Sequence, residues 1–118
     1  MIKIILYLLI LLPSTSLYAG YPTEQEVLIA CTGASTDKTE ALLSRIHCLG
    51  YIDGVMDAHG LISSANPSSK YYCIPPSGID AGSVLDKVVS YIQKHDDARD
   101  MTGRLVIMKT MQDAYPCK

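Results

Sequence analysis

Neither tryptophan nor phenylalanine occurs in this sequence, so tyrosine is its only large aromatic residue. No Cys-x-x-Cys pair occurs either. The four cysteines, Cys31, Cys48, Cys73 and Cys117, stand 17, 25 and 44 residues apart. Those gaps match no zinc-ligand spacing, which argues against a metal centre. Lysines and arginines are scattered singly from Lys38 to Lys118, with no basic stripe, so neither nucleic acid nor an anionic membrane surface is an expected partner. No apolar run approaches the roughly 20 residues that cross a bilayer. No alternating strand pattern and no internal repeat is present. Asn66 cannot accept a glycan because Pro67 occupies the middle of the sequon. No nucleophile stands in a recognisable arrangement with a base, which ranks an enzyme last among the readings.

What is present begins with an export signal. Lys3 precedes an apolar run from Ile4 to Leu12, followed by Pro13, Ser14 and Thr15 and small residues near Ala19. That layout predicts a cleaved signal peptide over residues 1–19 and a single soluble domain over 20–118. Without Lys3 the remaining chain carries nine basic and twelve acidic side chains, a net charge of −3. All four cysteines fall in this exported part, and an even count in a short exported chain predicts two disulfides.

The pattern is all-α, with four or five helices. Thr23-Glu24-Gln25-Glu26 reads as a capping box ahead of an apolar face at Val27, Leu28 and Cys31. Asp37 with Glu40 starts a long helix to about Ile62. Asn66-Pro67-Ser68-Ser69 is loop chemistry. Tyr71-Tyr72-Cys73-Ile74-Pro75-Pro76 is extended, since each proline keeps its predecessor out of the helical region. Ser77-Gly78 turns the chain, and Asp80 caps a helix with core positions Val84, Leu85, Val88, Val89 and Ile92. After His95-Asp96-Asp97 a last helix has Met101, Leu105, Met108 and Met111 at core spacing.

Within the long helix, residues 48–60 (CLGYIDGVMDAHG) raise the question of a site. On a helical wheel Leu49, Ile52, Val55 and Met56 form the core face, and Gly50, Gly54 and Ala58 form a second line of small residues. Asp53 and Asp57 lie on the border, and neither His47 nor His59 can join both around one ion. The aspartates therefore read as solvated residues. Glycine in a helix interior costs about 1 kcal/mol relative to alanine, so the small-residue line predicts a close helix approach. An intrachain contact and a homodimer seam are both open. Apolar positions in the long helices are almost all aliphatic, and no cofactor is expected.

Four pieces now stand in order. They are Cys48-Leu49-Gly50-Tyr51-Ile52 with Gly54-Val55 and Asp57; Cys73-Ile74-Pro75; Val88-Val89 with Tyr91-Ile92 and His95; and Tyr115-Pro116-Cys117. From Val27 to Cys117 this series resembles the Rap/Tai family of type VI secretion immunity proteins. The resemblance implies a small periplasmic helical protein that neutralises a peptidoglycan amidase by occluding its catalytic cleft, and it also implies a homodimer. The expected pairing is Cys31–Cys48 and Cys73–Cys117. The first of these requires a kink or an angled crossing, since strictly antiparallel helices would carry Cys48 too far from Cys31. The expected inserting element is the loop from Ser63 to Tyr72. Ser64, Asn66, Ser68 and Ser69 would supply hydrogen bonds, and Tyr71 or Tyr72 an aromatic anchor. Packing over Cys73 is the alternative role for those tyrosines. Asp96 and Asp97, in the acidic turn, are the second candidate contact. A periplasmic helical chaperone or stress protein is the competing class. A neighbouring gene for a small Cys/His amidase would separate the two.

Overall fold

The computed structural model describes residues 22–118; the expected export segment, residues 1–19, lies outside them. Helix α1, Glu24–Thr32, starts at the predicted box: Thr23 N–H donates to Glu26 Oε2 (2.6 Å), and Glu26 N–H donates to Thr23 Oγ1 (3.3 Å). It ends at Gly33, whose φ of +62° suits a residue without Cβ. Helix α2, Lys38–Ala65, is capped by Asp37, which accepts Glu40 N–H at 2.8 Å. Helix α3, Ala81–Lys94, is capped by Asp80 through Ser83 N–H at 2.8 Å. Helix α4 is Gly103–Ala114. Two short 3-10 turns, Pro67–Ser69 and Asp96–Asp100, fall in the connections. The described residues thus make an all-α fold of four helices.

All six pairs of these helices touch. α2 runs unbroken for 28 residues, and α1 meets it at an angle. A Cβ on Gly33 would lie 3.0 Å from Ala41 O and 3.1 Å from Arg45 Cγ, and Cys31 lies 5.1 Å from Cys48 between Cα atoms. The end of α1 therefore lies against the interior of α2, and Cys31 and Cys48 are bonded. Leu42, Leu43 and Ile46, in the first turns of α2, are exposed. Cys73 is bonded to Cys117, and Cys73 N–H donates to Tyr115 O at 2.9 Å. Both expected pairings are present.

The core is aliphatic with sulfur and tyrosine: Val27, the Cys31–Cys48 bridge, Ile52, Tyr72, Val84, Leu85, Val88, Ile92, Val106, Ile107 and Met111. α3 buries Val84, Leu85, Val88 and Ile92 of the predicted stripe, leaves Val89 partly buried and adds Tyr91. α4 corrects the prediction. It buries Gly103, Val106, Ile107, Thr110 and Met111, while Leu105 is exposed and Met101 precedes the helix. The reason is that α4 carries two apolar rows. The row at 103, 106, 107, 110 and 111 faces the other helices, and Leu105 and Met108 line an outer groove.

Among the described glycines the most crowded is Gly103. Its N–H donates to Pro22 O at 2.8 Å, beside an antiparallel bridge between Thr23 and Thr102. A side chain there would overlap Val27 Cγ2 and sit 3.3 Å from both Pro22 O and Tyr51 Cε1. Gly50 and Gly54, by contrast, have nothing within 4 Å of where a Cβ would lie. The intrachain reading of the small-residue line is therefore corrected: within the described chain nothing packs on these glycines.

Candidate partner-binding surface

The segment between α2 and Cys73 is built by its own polar groups. Ser63 is buried, and its hydroxyl donates to His59 O at 2.7 Å; Ser64 Oγ donates to Gly60 O at 2.8 Å. Both bonds satisfy the hydroxyls on carbonyls in the last turns of α2, so these serines belong to the helix. Asn66 then caps the Pro67–Ser69 turn. Its Oδ1 accepts from Ser68 N–H (3.3 Å) and Ser68 Oγ (2.7 Å), and its carbonyl accepts from Ser69 Oγ at 2.6 Å. Ser64, Asn66, Ser68 and Ser69 were expected to offer hydrogen bonds outward. Their hydroxyl hydrogens and the Asn66 Oδ1 instead fix the local shape.

The paired tyrosines divide. Tyr71 is 61% exposed and Tyr72 is 1% exposed. Tyr72 is corrected from contact residue to core residue, which is the packing alternative. Its ring stacks on His59 at 3.9 Å between centroids and 19° between planes. His59 Nε2 also accepts Tyr71 N–H at 3.1 Å. Burial, and after it the Lys70 charge, lowers the His59 pKa below the ordinary imidazole value of 6.5.

Beside this segment an open apolar groove of about 1030 Å³ runs between α2 and α4. Gly50, Gly54 and Ala58 form one wall, Leu105 and Met108 the other, and Tyr71 closes one end. The expected seam residues and the expected anchor thus share one surface. Asp96 and Asp97 lie apart from that groove, on the exposed Asp96–Asp100 turn, where Asp96 pairs with Arg99 at 3.7 Å. That ion pair is solvent-exposed and short-range along the chain, so it does little beyond shaping the turn.

Sequence reasoning passed over three features. The first is the contact between His59 and the Tyr71 backbone, for which the place of His59 beside Ile52 on the helical wheel was the available signal. Gly103 had no local marker. Leu42, Leu43 and Ile46 carry α2's exposed apolar surface past the end of α1. Among the described residues no three His, Cys, Asp or Glu side chains come together as a metal site would need. No described helix is long and apolar enough to cross a membrane.

No curated protein matches the chain. The family model described as Rap1a immunity proteins matches residues 23–117, which takes in all four helices, both disulfides and the braced segment. The chain belongs to the Rap1a immunity proteins.

Proposed function

We propose that the protein is exported by residues 1–19 to the periplasm. There it binds a peptidoglycan amidase delivered by type VI secretion and blocks its catalytic cleft, acting by binding alone. Family membership supports an immunity role towards a secreted effector. Two disulfides are compatible with an oxidising compartment. The observation that carries the choice of inserting element is Tyr71. It is the exposed aromatic on a segment held by an Asx-capped turn on one side and by the Cys73–Cys117 bridge on the other. A braced loop loses little conformational entropy on binding, and a rigid exposed tyrosine is a typical anchor.

The working form in this proposal is a homodimer whose seam includes Gly50, Gly54 and Ala58. The support is the open apolar groove they line and the lack, among the described residues, of any packed atom within 4 Å of where a Cβ on either glycine would lie. The test of the inhibitory element replaces residues 66–70 by a Gly/Ser linker. Circular dichroism first checks that the helices are retained, and inhibition of the amidase encoded beside the gene is then measured. Loss of inhibition with the fold intact supports the segment as the plug. Undiminished inhibition excludes it and moves attention to Asp96 and Asp97.

A further inference from the structure

We infer that neutral His59 is the positioning residue for residues 66–71: its ring holds the Tyr71 backbone in place and releases that segment on taking up a proton. The consequence for the effector rests on the cleft-blocking reading above, whereas the latch is a property of this chain alone. His59 is 7% exposed and lies near the end of α2, directly behind the segment. Its Nε2 accepts Tyr71 N–H at 3.1 Å. In a neutral imidazole one ring nitrogen accepts and the other carries the hydrogen, so this bond fixes the proton on Nδ1. Protonation would place a second N–H on Nε2, facing the Tyr71 N–H donor to donor. The contact cannot survive that change.

The rest of the neighbourhood confines the effect to this segment. The His59–Tyr72 stack does not depend on which nitrogen is protonated, since a cation is also attracted to a tyrosine face. Tyr72 is further held by its neighbour Cys73, which is tied to Tyr115 O and to Cys117. What yields is the backbone from Asn66 to Tyr71, which the latch and the Asn66 turn otherwise brace. Lys70, on the segment itself, is the charge that resists protonation of His59. Arg104 and Lys109 of α4 line the same groove, as does Asp100 of the preceding turn, whose negative charge acts in the opposite sense. Tyr72 is the titratable group in direct ring contact.

The sign follows from proton uptake. Released from the segment, His59 returns towards its ordinary pKa of about 6.5, so the free state binds more protons than the latched one. Latching is therefore complete above that value and weakens as pH falls through the lowered pKa.

The experiment uses the whole exported chain labelled with nitrogen-15. Protection of the Tyr71 amide, relative to its intrinsic exchange rate, is read well above and well below pH of about 6.5. Acidification is expected to cut protection about tenfold, the equivalent of one ordinary hydrogen bond, while the Met111 amide in α4 is unchanged. His59→Gln, with an amide group where Nε2 stands, should keep the protection and lose its pH dependence. His59→Phe, which keeps a stacking ring but no acceptor, should lack it at both pH values. Tyr71 protection that does not change with pH in the natural chain overturns the inference, as does full protection in His59→Phe. If His59→Phe fails to fold, the natural chain and His59→Gln still decide. A working latch combined with inhibition that survives replacement of residues 66–70 would refute this segment as the plug and leave the latch standing. A failed latch with inhibition lost on that replacement would do the reverse.

Discussion

Glycine-to-alanine substitution at two positions should have opposite effects, and the contrast tests the packing in detail. Gly54 lies in the middle of α2, and an added Cβ meets no atom within 4 Å. Within a single chain the methyl group therefore gains the helix-propensity difference of about 1 kcal/mol, so the measurement is made at a concentration low enough to keep the chain monomeric. Gly103 opens α4, where the propensity gain is smaller because only part of the residue is helically constrained. Its methyl would overlap Val27 and crowd Pro22 O and Tyr51 Cε1, each at 3.3 Å. Those neighbours come from α1, the N-terminal segment and α2, so no single movement relieves all three. Overpacking of this kind costs about 1–3 kcal/mol, and the Gly103 N–H bond to Pro22 O would be strained as well.

Thermal unfolding followed by circular dichroism, with disulfides intact, measures both changes on one scale. For a domain of this size 1 kcal/mol corresponds to about 4–8 °C in Tm. Gly54→Ala is expected to rise by about that amount and Gly103→Ala to fall by as much or more. Equal signs would refute the reasoning. Concentration adds a second reading. If a second copy covers the groove, Gly54→Leu should separate the copies, giving monomer by light scattering with helicity retained. A variant that unfolds instead would contradict the open space recorded at Gly54.

Replacing Cys73 and Cys117 by serine opens a loop of 44 residues and should cost about 4 kcal/mol in chain entropy, measured by chemical denaturation. Tyr72→Phe removes a buried hydroxyl that has no partner among the described residues and should raise stability by about 1 kcal/mol; a loss would reveal a hydrogen bond there. Burial raises the Tyr72 pKa, and burial followed by Asp97 and Asp113 raises that of Tyr91, so the folded state holds their protons longer than the unfolded chain. Stability should be full below about pH 10 and fall above it, with the fall delayed in Tyr72→Phe and Tyr91→Phe. Tyr71→Ala should leave Tm nearly unchanged and weaken binding to the amidase by about 2 kcal/mol, roughly thirtyfold; binding retained at full strength would remove Tyr71 as the anchor.

The parts of this fold legible in the sequence are those decided within a few residues. The caps at Thr23, Asp37 and Asp80 are local hydrogen bonds between residues three apart, so the spelling of the chain contains them. α3 was legible because it has a single apolar stripe, which can face only one way. α4 was not, because Leu105 and Met108 form one apolar row and Val106, Ile107 and Met111 another. Periodicity detects both rows and cannot say which has neighbours. The glycines show the same limit. A glycine inside a helix signals an unusual demand, but which glycine is crowded depends on what other elements bring to it. Gly54 met open space, while Gly103 met α1. Tyr71 and Tyr72 were legible as a pair open to either contact or packing over Cys73; the His59 ring and the Cys73 anchor decide that Tyr72 turns inward and Tyr71 outward.

The hydrogen-bond pattern of the candidate site changes what its serines and asparagine contribute to recognition. The hydroxyl hydrogens of Ser68 and Ser69 and the Oδ1 of Asn66 are already bonded within the turn, so partner groups that sought them would compete with bonds already made. The net gain from such an exchange is small, since one hydrogen bond replaces another. Asn66 Nδ2, with no intramolecular acceptor among the described residues, the lone pairs of the serine oxygens and the Tyr71 side chain are the groups with unmet capacity. Affinity in this proposal concentrates in Tyr71 and the Asn66 amide, and the serines act chiefly by holding them still. Asn66→Ala and Ser68→Ala would then act alike, through loosening of the turn. Tyr71→Ala would act differently, leaving the turn intact and removing the contact. Amide protection at Ser69, whose N–H donates to Asn66 O at 3.0 Å, separates the two mechanisms. It should fall in the first pair and hold in the third, whatever happens to inhibition.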